Sequence, residues 1–270
     1  GPIYDCGDFP RVLARALDMA DWTGFEACRA QSAKLGRLRG IGLACFVESS
    51  GVAPSKLAGS LGARAGFFES AEIRIDAGGS VTALLGTHSH GQGHETAYAQ
   101  ILASQLGVPS TRVEIVEGDT GRVPYGTGTF GSRSMAVGGS ALVRAAEKLI
   151  AKGRRIAAHL LEASEKDIEF AVTDEGGQFS VAGTDRRLSL DGIALAANVA
   201  HDLPQDCEPG LHETAFYDPK AFAFSNGVHA CEIEIDPETG VATLLGYCAV
   251  DDVGTVINPL IVEGQVHGGL

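Results

Sequence analysis

The sequence predicts an α+β fold, made of mixed helices and β-hairpins and organised as two pseudo-repeated halves. Helix-like segments alternate with short strand-like segments, a pattern typical of layered α/β or α+β proteins rather than of bundles or sandwiches. In addition, residues 72–86 return without a gap as residues 232–246, with eight of fifteen positions identical. A Gly-Gln-x-His motif follows each copy, at residues 91–94 and 264–267. We therefore expect two related hairpins that present equivalent glycine-glutamine segments to one ligand; chance likeness of two common hairpins is the alternative.

The first part of the chain predicts helices followed by strands. Residues 9–36 carry apolar side chains at helical spacing, with few strand formers. Residues 41–48 form a short apolar run that suits a buried strand, and residues 51–66 are rich in glycine, alanine and serine, which indicates a loop. Apolar and charged side chains alternate over residues 71–76, so a half-buried strand is expected there. Residues 77–86 supply the turn and the returning strand of the first hairpin.

The middle of the chain predicts two helices on either side of a strand and a long loop. Apolar residues on one broad face predict a helix over His94–Leu106. Val113–Val116 is expected to be a strand, and residues 118–131 a glycine-rich loop. A second long helix is expected over about residues 135–161, where an early Gly138-Gly139 pair allows close packing.

The last part predicts a strand, a helix and the second hairpin. A short strand is expected near Ile168–Val172, a turn at Gly176-Gly177, and a helix over residues 188–198. Prolines punctuate residues 201–225, which indicates an irregular connecting segment. The second hairpin follows, with its turn at residues 237–240.

The repeat also predicts how the chain divides. Residues 1–225 are interpreted as the first half with its connecting segment, and residues 226–270 as the start of the second half. The sequence stops where the second copy has just begun the helix that the first copy continues. The second half is therefore expected to be truncated, and the chain to be a fragment of a larger polypeptide.

Composition and charge exclude several classes of protein. The net charge of −13 disfavours broad contacts with phosphate backbones and therefore a nucleic-acid partner. No apolar run is long enough to span a membrane as a helix. The six cysteines are scattered without a C-x-x-C motif and lie in apolar stretches, which favours buried thiols in a reducing compartment, by default the cytoplasm.

Residues 86–96 form the strongest candidate binding segment. A strand ends, glycines allow the backbone to approach a ligand, and a helix begins. The free N–H groups and the positive end of the helix dipole suit a phosphate or pyrophosphate group. Gln92 adds both a hydrogen-bond donor and an acceptor. An ordinary glycine-rich turn with a polar cap is the alternative.

Three histidines in the same segment suggest a different chemistry. His90 and His94 are four residues apart, the spacing at which two histidines of a helix can share a zinc ion. However, Gly91 and Gly93 disfavour a helix between them, and no other residue stands out as a general base. A zinc hydrolase that uses the segment from His88 to His94 is therefore the weaker hypothesis, and no metal ligand is assigned.

A second glycine-rich loop precedes the second long helix. Residues 126–131 match G-x-G-x-x-G, but a nicotinamide-binding fingerprint needs a strand directly before it and an acidic residue after a following strand. Both are missing from the pattern, so we reject a nicotinamide site. Gly131, Ser132, Arg133 and Ser134 instead present small residues, hydroxyls and a guanidinium to a cofactor, although Arg133 could equally form a structural ion pair.

Taken together, these segments resemble the large, molybdenum-binding subunits of the xanthine dehydrogenase and aldehyde oxidase superfamily, and most of all the large chains of aerobic carbon monoxide dehydrogenases. The resembling segments occur in family order across almost the whole chain. They are residues 4–9, 40–42, 89–96, 98–101, 123–134, 251–259 and 263–269.

The resemblance implies a cofactor, partners and site residues. It implies that Gly91, Gln92, Gly93, Ser132, Ser134 and Gln265 hold a molybdopterin dinucleotide, with Thr96, Gly131 and Arg133 as neighbours. For a bacterial member it implies molybdopterin cytosine dinucleotide with molybdenum, a small subunit that carries [2Fe–2S] clusters, and a medium subunit that carries FAD. The implied enzyme is a molybdenum-dependent oxidoreductase, a dimer of heterotrimers that oxidises a small-molecule substrate with oxygen from water.

The chain also departs from the family pattern. The segments of the family that carry the substrate-side loop and the glutamate base have no counterpart in residues 1–270, so the catalytic residue is unknown. We expect the isolated chain to be inactive. A molybdopterin-binding or interaction module without chemistry of its own is the alternative from another class of protein.

Overall fold

The computed structural model describes residues 4–5, 7–51 and 54–270. Cys6, which belongs to the first resembling segment, and residues 52–53 of the expected loop lie outside the described residues. The chain forms two compact units. The terminal unit consists of the described part of Gly1–Ser50 together with Ala223–Val256 and Val262–Leu270, and the central unit consists of the described part of Gly51–Phe222 with Ile257–Ile261.

Helices and strands are interspersed along the described chain. The α-helices are α1 Phe9–Met19, α2 Phe25–Lys34, α3 Ser55–Ser60, α4 His94–Leu106, α5 Ser140–Leu160, α6 Leu190–Val199 and α7 Pro259–Gly269. The strands are β1 Leu38–Ser50, β2 Glu69–Ile75, β3 Val81–Leu85, β4 Val113–Val116, β5 Ile168–Thr173, β6 Gly176–Val181, β7 Arg187–Ser189, β8 Leu211–Tyr217, β9 Ala223–Ile235 and β10 Ala242–Asp252. No described helix has the length and apolar character needed to cross a membrane.

The terminal unit is an antiparallel sheet, in the order β1-β9-β10, with α1 and α2 packed on one face. The Ser32 hydroxyl of α2 donates to the Glu234 carboxylate of β9 at 2.6 Å. The expectation of a short, buried strand over residues 41–48 is wrong in length and burial. The strand β1 is longer, and all of its residues from Ala44 to Ser49 are exposed, because in the described chain the two helices cover only part of the sheet.

The central unit is built on a mixed sheet in the order β4-β3-β2-β8, covered by α4, α5 and α6. Its core is apolar and fully buried, and includes Ile73, Leu85, Leu102, Leu142, Leu149 and Ala194. The strand β2 was expected to be half-buried, but it lies between β3 and β8, and Glu72 is buried as well.

Three further expectations for the central unit are wrong. The segment over residues 201–225 contains the strand β8, which pairs with β2 along seven residues, so it is not irregular throughout. Gly176-Gly177 begins β6 rather than forming the turn, which lies two residues earlier at Asp174-Glu175. The loop expected over residues 51–66 contains the short helix α3. By contrast, α4 and β4 begin and end where the sequence predicts.

The two copies of the sequence repeat share one order of elements. The hairpin β2–β3 leads to α4, and the hairpin β9–β10 leads to α7, so each copy of the repeat is a hairpin followed by a helix. The register differs, however, since Ile75 pairs with Val81 whereas Ile235 pairs with Ala242, one residue further on. A bulge between Leu244 and Gly246 shifts the second hairpin again. A gap-free repeat therefore folds into two hairpins with different turns.

Candidate functional site

The first candidate loop connects β3 to α4. Gly91 and Gly93 have φ angles of +90° and +83°, in the left-handed region that favours glycine. Gly93 is the N-cap residue of α4 and, as a glycine, offers no side chain to accept a hydrogen bond from the helix start. The first amides of the helix therefore lie beside a loop that is built largely of backbone.

The polar residues of this loop lie near the helix start. The Gln92 side-chain oxygen accepts a short hydrogen bond from the His90 backbone N–H, and its nitrogen lies 3.5 Å from the His88 carbonyl oxygen. Thr96 is exposed in the first turn of α4. A hydrogen bond from its own backbone N–H, followed by one from the Ser89 hydroxyl, lowers the pKa of Glu95, so this carboxylate is held as an anion at the helix start.

The second candidate loop leads into a π-helical turn at Ser134–Gly139, directly before α5. Gly131 and Ser132 have φ angles of +55° and +50°, and the backbone becomes right-handed at Arg133. A left-handed conformation is uncommon for a residue other than glycine and is found preferentially at functional sites. Successive amides in such a turn of the backbone can form a concave site for an anion.

The two loops are tied together by short polar contacts. The Thr129 hydroxyl accepts a hydrogen bond from the His88 backbone N–H at 2.9 Å and lies 2.8 Å from the Ser134 hydroxyl. The Gly128 backbone N–H donates to the Gly86 carbonyl oxygen at 3.1 Å. The structure thus brings the segments around Gly91–Gly93 and Gly131–Ser134 to one part of the central unit.

Two glycine backbones cross where these segments meet. A Cβ atom on Gly126 would collide with the backbone of Gly86, and one on Gly86 would collide with the Tyr125 carbonyl oxygen. The first glycine of the G-x-G-x-x-G pattern therefore serves a close approach between two chain segments. Among the described residues, no strand lies directly before Gly126.

Arg133 lies in the interior. Its side chain and that of Glu69 are both 0% exposed, and the two form an ion pair at 2.7 Å. The guanidinium also donates to the Gly128 and Phe67 carbonyl oxygens, each at 2.6 Å. The sequence left open whether Arg133 contacts a cofactor or forms a structural ion pair, and in the structure it forms the ion pair. This pair anchors the second loop to the start of β2.

A buried polar network that the sequence did not reveal lies beneath both loops. His94 Nδ1 is 3.0 Å from the Glu117 carboxylate, and the Thr87 hydroxyl donates a short hydrogen bond to the same carboxylate. The Tyr98 hydroxyl is 3.2 Å from the Thr87 hydroxyl and donates to the Ser134 carbonyl oxygen at 2.9 Å. Burial raises the pKa of Tyr98 well above its ordinary value, which keeps the phenol protonated.

The histidine segment does not assemble a zinc site in the described chain. His94 is paired with Glu117, whereas the rings of His88 and His90 contact each other at 4.9 Å between centroids. No group of three histidine, cysteine or carboxylate side chains converges among the residues that the structure describes. The zinc hypothesis therefore gains no support from the geometry.

A cleft of about 340 Å³ opens beside the crossing of the two segments. Its walls include Gly86, His88, Asp119 and Tyr125. The Thr127 hydroxyl oxygen, in the loop beside this cleft, is buried without a hydrogen-bond partner in the described chain. A larger cavity, of about 390 Å³, is lined by none of the residues expected to bind a ligand. Loop geometry, rather than cavity size, therefore identifies the candidate site.

The remaining candidate residue and the cysteines lie elsewhere. Gln265 is exposed on α7, in the part of that helix that belongs to the terminal unit. That Gln92 and Gln265 contact one ligand stays a prediction. The five described cysteines are free, but Cys45 is exposed and the other four are partly exposed, so the expectation of buried thiols is wrong for them.

A helix start with a glycine N-cap, with a second glycine-serine loop tied against it, is an arrangement that suits an anionic group. Comparison with known proteins gives the family. The model of the molybdopterin cofactor-binding domain matches residues 15–270, and the chain belongs to this family.

The chain is similar to large subunits of molybdenum enzymes. It is 44% identical, over 99% of its length and 33% of the relative's, to the carbon monoxide dehydrogenase large chain of Hydrogenophaga pseudoflava. It is 36% identical to the nicotine 6-hydroxylase large subunit of Paenarthrobacter nicotinovorans, covering 100% of this chain and 33% of that one. A crystal structure of a copper- and molybdenum-containing carbon monoxide dehydrogenase matches with a TM-score of 0.88 at 42% identity, covering 100% of this chain and 34% of that one. The chain thus spans about a third of these relatives.

Proposed function

We propose that the chain is part of the large subunit of a molybdenum-dependent oxidoreductase and that its two glycine-rich loops hold a molybdopterin dinucleotide. The observation that carries this proposal is the joining of the two loops, through His88, Thr129 and Ser134, beside the start of α4, whose N-cap residue is a glycine. The first loop offers Gly91, Gln92, Gly93 and Thr96, and the second offers Gly131, Ser132 and Ser134.

The residues present fit an anionic, phosphorylated group. Open space surrounds Gly91, and the amides at the start of α4 favour negative charge. The backbone at Gly131 and Ser132 is held in a left-handed conformation that presents amides and hydroxyls rather than carboxylates. Arg133 supports this arrangement from the interior, since all its described contacts are to Glu69, to loop carbonyl oxygens and to the Phe130 ring.

In this role, the chain binds and orients its cofactor. When bound, the molybdenum centre supplies the oxidation of a small-molecule substrate, with oxygen taken from water. Gln92 is proposed to donate to and accept from the cofactor through its amide, which would exchange its present contacts within the loop. Gln265 is proposed to contact the same dinucleotide, and the sequence repeat supports this pairing.

The similarity to large subunits supports an extension of this proposal to finer features of the enzyme. We propose the cytosine dinucleotide form of the cofactor, a small subunit with [2Fe–2S] clusters, and a medium subunit with FAD that together form a dimer of heterotrimers. The proposal extends to a cytoplasmic location, supported by five described cysteines without a disulfide. The division of the chain at residues 225 and 226 into two related halves is part of the same proposal.

Replacement of Gln92 tests the binding role. The assembled enzyme that contains this chain is purified from a host that makes the cofactor, and molybdenum and released cytosine nucleotide are measured per protein. Loss of hydrogen bonds to a charged ligand costs about 1.5–3 kcal/mol each, so Gln92→Ala is expected to lower cofactor affinity by roughly tenfold or more. The matched control is Gln31→Ala, since Gln31 is exposed on α2 in the terminal unit.

Two results would contradict the proposal. If the wild-type enzyme contains no molybdenum or pterin, the binding function is wrong. If Gln92→Ala retains as much cofactor as wild type and Gln31→Ala, Gln92 is not a ligand. If the purified protein contains cofactor but has no partner subunits and shows no turnover, a non-catalytic binding module is favoured instead. Turnover by the isolated chain would contradict its expected inactivity.

A further inference from the structure

The buried polar side chains beneath the two loops have no role in the proposed contacts to the cofactor. We propose that His94, Glu117, Thr87 and Tyr98 form a positioning network that holds both loops in their binding conformation. This inference rests on the proposed function, because it assigns these residues to the same site. They act through the loops and need no contact with the ligand.

One end of the network fixes the start of α4. His94 is the residue directly after Gly93, and its side chain and that of Glu117 are only 8% and 5% exposed. Glu117 follows β4, so the pair links the first loop to the edge of the sheet. A buried carboxylate that accepts bonds from both His94 and Thr87 leaves the residue after Gly93 little freedom to rotate.

The other end fixes the start of the π-helical turn. Tyr98 is 0% exposed, and its hydroxyl spans from Thr87 to the backbone carbonyl of Ser134. Gly138 packs directly against this pair, since a Cβ atom there would lie 2.9 Å from the Thr87 methyl group and 3.0 Å from the Tyr98 hydroxyl. The Glu117 carboxylate and the hydroxyls of Thr87 and Tyr98 therefore form a chain of contacts between two helix starts. It runs from His94, the first residue of α4, to Ser134, the first residue of the π-helical turn.

The choice of partners argues for positioning rather than for general stability. Each polar group of the network is buried, which is costly unless it is bonded, and apolar side chains could fill the same space. The bonds reach the boundaries of the two candidate loops, at His94 and at Ser134. A loop held in its bound conformation before the ligand arrives loses less entropy on binding, and it therefore binds more tightly.

Variants that differ by one hydroxyl test this inference in the assembled enzyme. Thr87→Val removes the hydroxyl at nearly constant shape, Thr87→Ser keeps it, and Tyr98→Phe removes the bond to Ser134. Loss of one such bond corresponds to about 3- to 10-fold in a rate or affinity. We expect the cofactor to leave Thr87→Val and Tyr98→Phe about 3- to 10-fold faster than wild type, and Thr87→Ser to release it at the wild-type rate.

Two controls separate positioning from stability. Tyr217→Phe removes a phenol hydroxyl on β8 outside the network, and Ile73→Val weakens the core of the same unit. Cofactor release is measured with thermal unfolding of the cofactor-depleted protein for every variant. Ile73→Val is compared with the two hydroxyl deletions at equal or lower thermal stability. The inference is supported if Thr87→Val and Tyr98→Phe increase the rate of cofactor release more than Ile73→Val does.

The outcomes distinguish this inference from the proposed function. If wild-type enzyme contains cofactor and both hydroxyl deletions release it at the wild-type rate, the positioning role is overturned alone. The same conclusion follows if Ile73→Val speeds release as much, or if Thr87→Ser fails to restore the wild-type rate. A wild-type enzyme without cofactor would overturn the proposed function, and this inference with it.

Discussion

Replacement of Arg133 by methionine should destabilise the central unit severely. The substitution keeps a long apolar side chain but leaves Glu69 as an unpaired carboxylate in a site where both side chains are 0% exposed. It also removes the donors to the Gly128 and Phe67 carbonyl oxygens. Breaking a buried ion pair by removing one partner costs about 3–5 kcal/mol, and about 2–4 °C of melting temperature accompany each kcal/mol. We therefore expect a loss of roughly 6–20 °C.

The assays are thermal unfolding, which gives the melting temperature, and urea-induced unfolding, which gives the free energy, of wild type, Arg133→Met, Glu69→Gln and the double variant. Because the neutral amide no longer needs a counter-charge, the double variant should recover a large part of the stability that Arg133→Met loses. Arg15→Met is the control, since Arg15 and Asp18 form an exposed pair with 62% and 75% of their side chains accessible. Such a pair contributes about 0–1 kcal/mol.

A cost below about 1 kcal/mol for Arg133→Met would show that Glu69 is not held as a buried charge. Strict additivity of the two single substitutions would show that the two side chains do not interact energetically. Either result would remove the ion pair as the anchor of the second loop.

Three further predictions concern the loops and the core. The pKa of Glu95 is lowered in the folded protein, so the carboxylate stabilises the fold above its unfolded pKa and loses this effect as the pH falls through its folded pKa. The difference in melting temperature between wild type and Glu95→Gln should therefore shrink on acidification. A difference that stays constant across a pH series would refute this. Gly126→Ala should lower the free energy of unfolding because its Cβ would collide with Gly86, whereas Gly59→Ala in α3, with open space around it, should be neutral or stabilising in the same denaturation experiment. In α5, Gly153→Ala should lower the free energy of unfolding despite the higher helix propensity of alanine, since the added methyl group would meet the Phe179 ring. A gain of about 1 kcal/mol in this free energy, as expected at an exposed helical site, would contradict the packing.

Local patterns predicted the elements that carry the first loop. Glycine at 93 and the apolar face that follows place the start of α4 at His94, and Gly107, with a φ of +67°, ends it. Such signals lie within a few residues of the features that they determine. The helix–hairpin alternation and the α+β class follow from the same local information.

Features that depend on distant partners could not be predicted in the same way. Arg133 was left between ligand and ion-pair roles because its partner Glu69 is 64 residues earlier. Glu117 carries no motif, and its role depends on Thr87 and His94, which approach it only in the folded sheet. The strand β8 was missed because prolines surround it and because its burial comes from pairing with β2.

The contact between Gly86 and Gly126 has a consequence for changing this protein by design. Since the two backbones pass there without side chains between them, the end of the loop over residues 118–126 is held against the end of β3. Residues 119–123 are mostly exposed within this loop, so shortening or extending the loop there should leave the contact between Gly86 and Gly126 intact. A different ligand preference can therefore be sought by replacing residues 119–123 while Gly86 and Gly126 are kept.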